Sequence, residues 1–323
     1  MSLPSARQIA YRTQRSLLSA QLWRARLVVW LGGAAVGGMA VAFAKCTDFA
    51  LSALHRMTHA VFWLPYLLAP VGFATLSFLT RRYFAGAEGS GIPQTIFALQ
   101  PDAGAVSDRL LRPRVAVGRI VLAMAGLLCG GSIGREGPTV HVGAIITRAL
   151  ARFMPHGGTD AQRRALILAG GAAGVSAAFN TPLAGIVFAV EELSRSFEER
   201  DSGAVLAAVI ITGVVAIARL GDYTYFGHPG VVKVPSVLAA TTISVAIAGG
   251  LAGGLFSRLT LIGVTAMPGA LGRIRRNRPV IFAFLCGLVV AGIAAGSGGL
   301  RRGATRHQAP ATLRRRSRSR SRK

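Results

Sequence analysis

Acidic side chains are what this chain has least of: 12 Asp and Glu stand against 37 Lys and Arg in 323 residues. Residues 1–26 carry Arg7, Arg12, Arg15, Arg24 and Arg26 with no acid, and residues 301–323 carry nine arginines and Lys323, again with none. Cysteine is equally sparse. Cys46, Cys129 and Cys286 have a spacing that fits neither a disulfide framework nor a zinc site, so we read them as packing residues. His55 and His59 lie four apart without a third ligand nearby, so no metal centre and no cofactor is expected. His-Glu-x-x-His and Gly-x-Ser-x-Gly are both absent, which argues against a membrane enzyme built on the few ionisable groups present. Alternating strand patterns are missing too, so the fold class is all-α.

Apolar residues are plentiful. They make up 52% of the chain, and charged residues only 15%. Charge-free runs recur at Leu27–Ala44, Ala60–Thr80, Ile120–Gly134, Ala165–Val190, Ser202–Ala218, Val234–Ser257 and Pro279–Leu300. Several reach the ~20 residues that cross a bilayer as helix; others are too short, and glycine or proline breaks them. The expectation is a multi-pass membrane protein with tilted and broken helices. The 40 glycines are scattered, as suits helices whose backbones pack closely.

The basic ends need separate readings. Residues 1–26 suit a cytoplasmic N-terminal segment under the positive-inside rule, followed by an uncleaved first span rather than a signal peptide. Residues 27–300 form the membrane domain. Residues 301–323 are a low-complexity Arg/Ser string, expected to be disordered. No nucleic-acid partner is expected, because nothing near Arg314–Lys323 folds or stacks bases. The change of composition after Leu300 reads as a shifted reading frame or a truncated gene model. Arg273, Arg275, Arg276 and Arg278 form another basic loop, only one span away from the tail.

The most informative segment is Gly134-Arg135-Glu136-Gly137-Pro138. It places an acid between apolar runs just where a helix begins. Ionisable residues cost about 2.5–3.5 kcal/mol at a span centre, so an acid here reads as functional. Its surroundings fit an anion site. Glycines let backbone come close to a ligand, and Pro138 suits a first helical turn. The following helix aims free N–H groups and partial positive charge at an anion. Glu136 can fill that seat itself, or leave it when protonated. Anion occupancy and Glu136 protonation are then thermodynamically linked. A second such turn is Gly89-Ser90-Gly91-Ile92-Pro93, with a short helix expected from Pro93 to about Gln100. A third break, Phe179-Asn180-Thr181-Pro182, precedes a short helix ending at Glu191-Glu192. Acids at a helix C-terminus oppose its dipole, which counts against simple capping and leaves a proton-collecting role open.

These segments, Gly89–Pro93, Gly134–Pro138 and Ala178–Glu192, together resemble the CLC family of chloride channels and chloride/proton antiporters. The resemblance runs from about Leu27 to Leu300. It implies the first inverted repeat of the CLC fold plus the start of the second. It further implies that Ser90 donates its hydroxyl to a central chloride, within a site built by Gly89, Ser90, Gly91, Ile92, Pro93, Gly134, Arg135, Gly137 and Pro138. Glu136 would be the gate, and Glu192 the inner proton-transfer acid of the exchanger branch. Partners implied are chloride, protons, the lipid bilayer of a bacterial inner membrane, and a second copy of the chain. Serine at position 90 resembles the chloride-selective pattern. Two family features are missing: a second motif, Gly-x-Phe-x-Pro, and a later tyrosine that closes the site. Gly254-Leu255-Phe256-Ser257 lacks the proline and sits in an expected long apolar helix.

Overall fold

Apolar runs in lipid leave backbone amides no partner but the chain itself, and helix satisfies them within each segment. The computed structural model describes residues 20–61, 63–194, 199–221, 238–265, 267 and 269–297. Among these, every regular element is helical: α1 Ala20–Ala60, α2 Leu64–Tyr83, α3 Ile92–Leu99, α4 Gly104–Leu110, α5 Pro113–Leu128, α6 Glu136–Leu150, α7 Asp160–Phe179, α8 Pro182–Phe188, α9 Glu199–Leu220, α10 Leu238–Thr265, α11 Gly269–Asn277 and α12 Pro279–Ser297. Among the described residues, four helices are long and apolar enough to cross a membrane, with spans at Ala20–Thr58, Gly203–Leu220, Thr241–Thr265 and Pro279–Gly296. The rest are shorter or broken. The chain is an integral membrane protein by this measure.

Helix α7 forms the centre. Residues Ala165–Ala178 are buried on every side. Alanine and glycine make that possible, because helices can then approach to backbone contact. A Cβ placed on Gly174 would sit 2.7 Å from the Thr139 carbonyl oxygen of α6, and one on Gly185 of α8 would sit 2.6 Å from the Ala172 carbonyl. Gly143 of α6 and Gly170 of α7 face each other so closely that a Cβ on either would strike the other's carbonyl. Helix α9 closes onto α1 in the same way, with Gly33 against Ala208, and Thr212 donates to the Gly33 carbonyl at 2.6 Å. Helix α7 starts at a capping box in which Thr159 and Gln162 satisfy each other's backbone N–H groups.

Helix α12 packs on α2, where Gly287 meets Pro70 and Ala69. Helix α10 stands apart from the cluster: every residue from 241 to 265 is exposed except the partly covered Gly263. In a bilayer that surface faces lipid or other protein.

Several boundaries differ from the sequence expectation. Helix α1 spans Ala20–Ala60, longer at both ends than the charge-free run Leu27–Ala44, since Arg24, Arg26, Lys45, Asp48 and Arg56 are accommodated on its exposed side. Helix α5 begins at Pro113, seven residues before the charge-free run at Ile120, because it carries a buried arginine. The expected long apolar helix around Gly254 is α10, and a separate basic helix, α11, follows it, starting at Gly269 with positive φ. The Gly254–Ser257 segment does lie inside α10. Residues 1–19 and 298–323, which hold most of the two basic ends, lie outside the described residues.

Candidate anion site

The Gly-Ser-Gly segment forms a turn that glycine alone accommodates easily. Gly86, Gly89 and Gly91 have φ of 99°, 68° and 108°, a region that costs residues with a Cβ roughly 1–2 kcal/mol. Gly91 is the N-cap of α3, Ile92 its first residue and Pro93 its second. Thr95 is fully buried and donates its hydroxyl to the Gly91 carbonyl at 2.9 Å, tying the turn to the helix. Ser90 is exposed. Its hydroxyl accepts from Ile92 N–H at a long 3.4 Å and makes no other hydrogen bond among the described residues. Its own proton is therefore available to a ligand.

Helix α6 starts at Glu136, with Arg135 as N-cap, and Gly137 and Pro138 are buried in its first turn. Thr139 closes that turn, donating both its N–H, at 3.0 Å, and its hydroxyl, at 2.6 Å, to the Arg135 carbonyl. The two motifs meet directly. A Cβ on Gly137 would strike the Ser90 backbone, lying 3.0 Å from its carbonyl carbon. A Cβ on Gly91 would lie 2.8 Å from the Gly137 carbonyl oxygen and 2.8 Å from Cβ of His141. Two helix starts 44 residues apart in sequence (residues 92 and 136) thus converge through paired glycines. Their partial positive charges add at the place where Ser90 and Glu136 sit.

The Glu136 carboxylate folds back against Gly134, where a Cβ would collide with Oε2. It makes no hydrogen bond or ion pair among the described residues and is only half-buried. A carboxylate held by no partner swings at little cost.

Glu192 is placed differently. Helix α8 runs on into a π-helical turn, Ala189–Ser194, so the acid pair lies inside that turn rather than at a helix end. Leu193 points inward, against Gly171. Glu191 and Glu192 are both exposed. No hydrogen bond joins either acid to Glu136 among the described residues. Single π turns often mark functional positions.

Arg119 is the residue that the sequence reading passed over. It is 3% exposed in the middle of α5. It donates to the Gly89 carbonyl at 2.8 Å, the Glu88 carbonyl at 3.2 Å and the Gly86 carbonyl at 3.4 Å. The guanidinium thus gathers the turn's carbonyls on its side, which turns the N–H groups away from it. Gln94 adds a donation to the Glu88 carbonyl, and the Glu88 carboxylate accepts from Gly86 N–H at 2.6 Å. An arginine inside the apolar stretch Val115–Leu128 was the available signal.

The sequence profile of a family described as "Voltage gated chloride channel" matches residues 71–314. An H(+)/Cl(-) exchange transporter ClcA from Cronobacter sakazakii is 33% identical over 249 residues, covering 73% of this chain and 51% of that protein. The transporter of the same name from Salmonella arizonae is 38% identical over 160 residues, covering 48% of this chain and 31% of the other. The chain spans about half the length, or less, of these relatives. Among solved structures, that of a slow cyanobacterial Cl-/H+ antiporter superimposes with TM-score 0.69 at 25% identity, covering 84% of this chain and 63% of that one. A CLC-type fluoride/proton antiporter shares the fold at TM-score 0.66 and 20% identity, with coverage of 85% and 65%. The match over residues 71–314, together with the convergent glycine turns, means that this chain belongs to the voltage-gated chloride channel family, the CLC proteins.

Proposed function

We propose that the junction of α3 and α6 is an anion site, that chloride is its ligand, and that Glu136 gates it by protonation in a chloride/proton antiporter. One observation carries the reading: Ser90 and Glu136 are held at one point by the Gly91–Gly137 backbone contact. A desolvated anion needs N–H and O–H donors and no full negative neighbour. The turn supplies the Ser90 hydroxyl and α6 its first-turn amides. When Glu136 is deprotonated, its carboxylate takes the place of the anion; when protonated, it leaves. Glu192, exposed on the π turn, is the acid that would exchange protons with the opposite aqueous side. That these relatives are H(+)/Cl(-) exchange transporters supports the exchanger over a channel. A homodimer in a bacterial inner membrane fits this reading. Helices α8 and α9 expose Leu183, Val187, Ile210, Val214 and Ile217, which would face the second copy or lipid.

The test is flux in liposomes. Wild-type protein should move chloride and protons in opposite directions, and Glu136→Gln should move chloride alone. Proton movement coupled to chloride in Glu136→Gln would overturn the role of Glu136. A second reading is a family fragment without transport activity, motivated by the exposed surface of α10 and by donors that, among the described residues, come from α3 and α6. Chloride binding without flux in the wild type would favour it.

A further inference from the structure

Behind the Gly-Ser-Gly turn, four buried polar atoms on three residues have no hydrogen-bond partner among the described residues: Gln94 Oε1, Arg119 Nε and both ring nitrogens of His141. Buried polar groups are nearly always paired, with protein or with ordered water. Here the orphans gather on one side of one turn. Gln94 and Arg119 each hold a carbonyl of the turn. His141 is 0% exposed, and a Cβ on Gly91 would lie 2.8 Å from its Cβ and 3.2 Å from Arg119 Cζ. The histidine and the guanidinium are therefore neighbours across Gly91.

Their hydrogen-bonding needs are complementary through a third party. Arg119 Nε–H only donates, and Gln94 Oε1 only accepts. A neutral imidazole has one donor and one acceptor nitrogen. The Leu110 backbone acts on the ring and suits its N–H side, which leaves the other nitrogen as an acceptor. Three groups remain: Arg119 Nε–H, the acceptor nitrogen of His141 and Gln94 Oε1. A water molecule satisfies the first two, accepting from Arg119 Nε–H and donating to His141, and keeps a second hydrogen that suits an acceptor such as Gln94 Oε1.

We propose that an internal water bridges Arg119 Nε to His141, and that this bridge fixes Arg119, and through it the Gly-Ser-Gly turn. His141 is then a positioning residue for the site above; this role rests on the anion-site reading, whereas the water itself does not.

The experiment is X-ray radiolytic footprinting of the full chain in detergent, which modifies side chains next to bound water even when they are closed to solvent. After correction for intrinsic reactivity, His141 should be modified several-fold faster than dry buried side chains such as Leu166. Modification of His141 no faster than Leu166 would overturn the proposal. In parallel, chloride affinity is measured on His141→Gln, which keeps a polar partner for water, and on His141→Leu, which does not. The Leu variant should bind chloride roughly tenfold more weakly, the loss of about one hydrogen bond, and the Gln variant should stay close to wild type. Equal affinity of both variants and wild type would remove the positioning role. If His141 is modified but wild type binds no chloride, the anion-site reading fails and the water stands. If wild type binds chloride and His141 stays unmodified, the reverse holds.

Discussion

Gly137→Ala probes the point where the two motifs touch. The substitution adds one methyl group within helix α6. Its carbon would lie 3.0 Å from the Ser90 carbonyl carbon and 3.1 Å from Ser90 Cβ, and closer still to the carbonyl oxygen. Relaxed carbon contacts sit at ~3.5–4.0 Å, so the turn must retreat by roughly 0.5–1 Å. Overpacking of this kind costs about 1–3 kcal/mol. Alanine's better helix propensity returns about 1 kcal/mol. The fold therefore loses little, about 0–2 kcal/mol. The site loses more. A donor displaced from ~2.9 Å by such a retreat leaves hydrogen-bond range. Hydrogen bonds to charged groups contribute about 1.5–3 kcal/mol, so chloride should bind roughly 10–100-fold more weakly. Isothermal titration of chloride and thermal melting in detergent separate the two effects. Gly38→Ala is the control, since nothing lies within 4 Å of its added Cβ. Chloride affinity of Gly137→Ala equal to that of Gly38→Ala would refute the claim that the glycine contact sets the anion site.

Arg119→Met should cost about 2–4 kcal/mol and weaken anion binding, because three donations to the turn vanish while the relief of a buried charge returns part of the loss; a melting temperature and affinity equal to wild type would contradict this. Gly170→Ala should do the opposite of Gly137→Ala in its balance. The clash with the Gly143 carbonyl and Thr147 lies in the centre of the helix cluster, so the yield of folded protein by size-exclusion should fall while any recovered protein keeps normal chloride affinity.

Much of the site was legible in the sequence because its chemistry is local. Gly-Ser-Gly-Ile-Pro and Gly-Arg-Glu-Gly-Pro each contain their own turn glycine, helix-start proline and functional side chain, so spacing alone locates them. What spacing does not reveal is that Gly91 and Gly137 exist for each other, since that contact links residues 46 positions apart. Arg119 was hidden by the habit of ending an apolar run at a charge. Its partners are carbonyls 30–33 residues upstream, and carbonyls leave no mark in a sequence. The π turn at Ala189–Ser194 was read as an ordinary helix end for a similar reason. Hydrophobic periodicity cannot distinguish one extra residue per turn over so short a stretch. The split between α10 and α11 was missed because Gly263, Gly269 and Gly272 look alike in sequence, whereas only Gly269 of the three takes positive φ.

The account stands on a contest between the Glu136 carboxylate and a halide for the helix starts of α3 and α6. Proton uptake on chloride binding measures that contest directly, by titrating chloride into weakly buffered protein with a pH electrode or indicator dye. Wild type should take up protons as chloride binds, and Glu136→Gln should bind chloride with no uptake from this source. Chloride binding by wild type without any proton uptake, or equal uptake in the Gln variant, would contradict it.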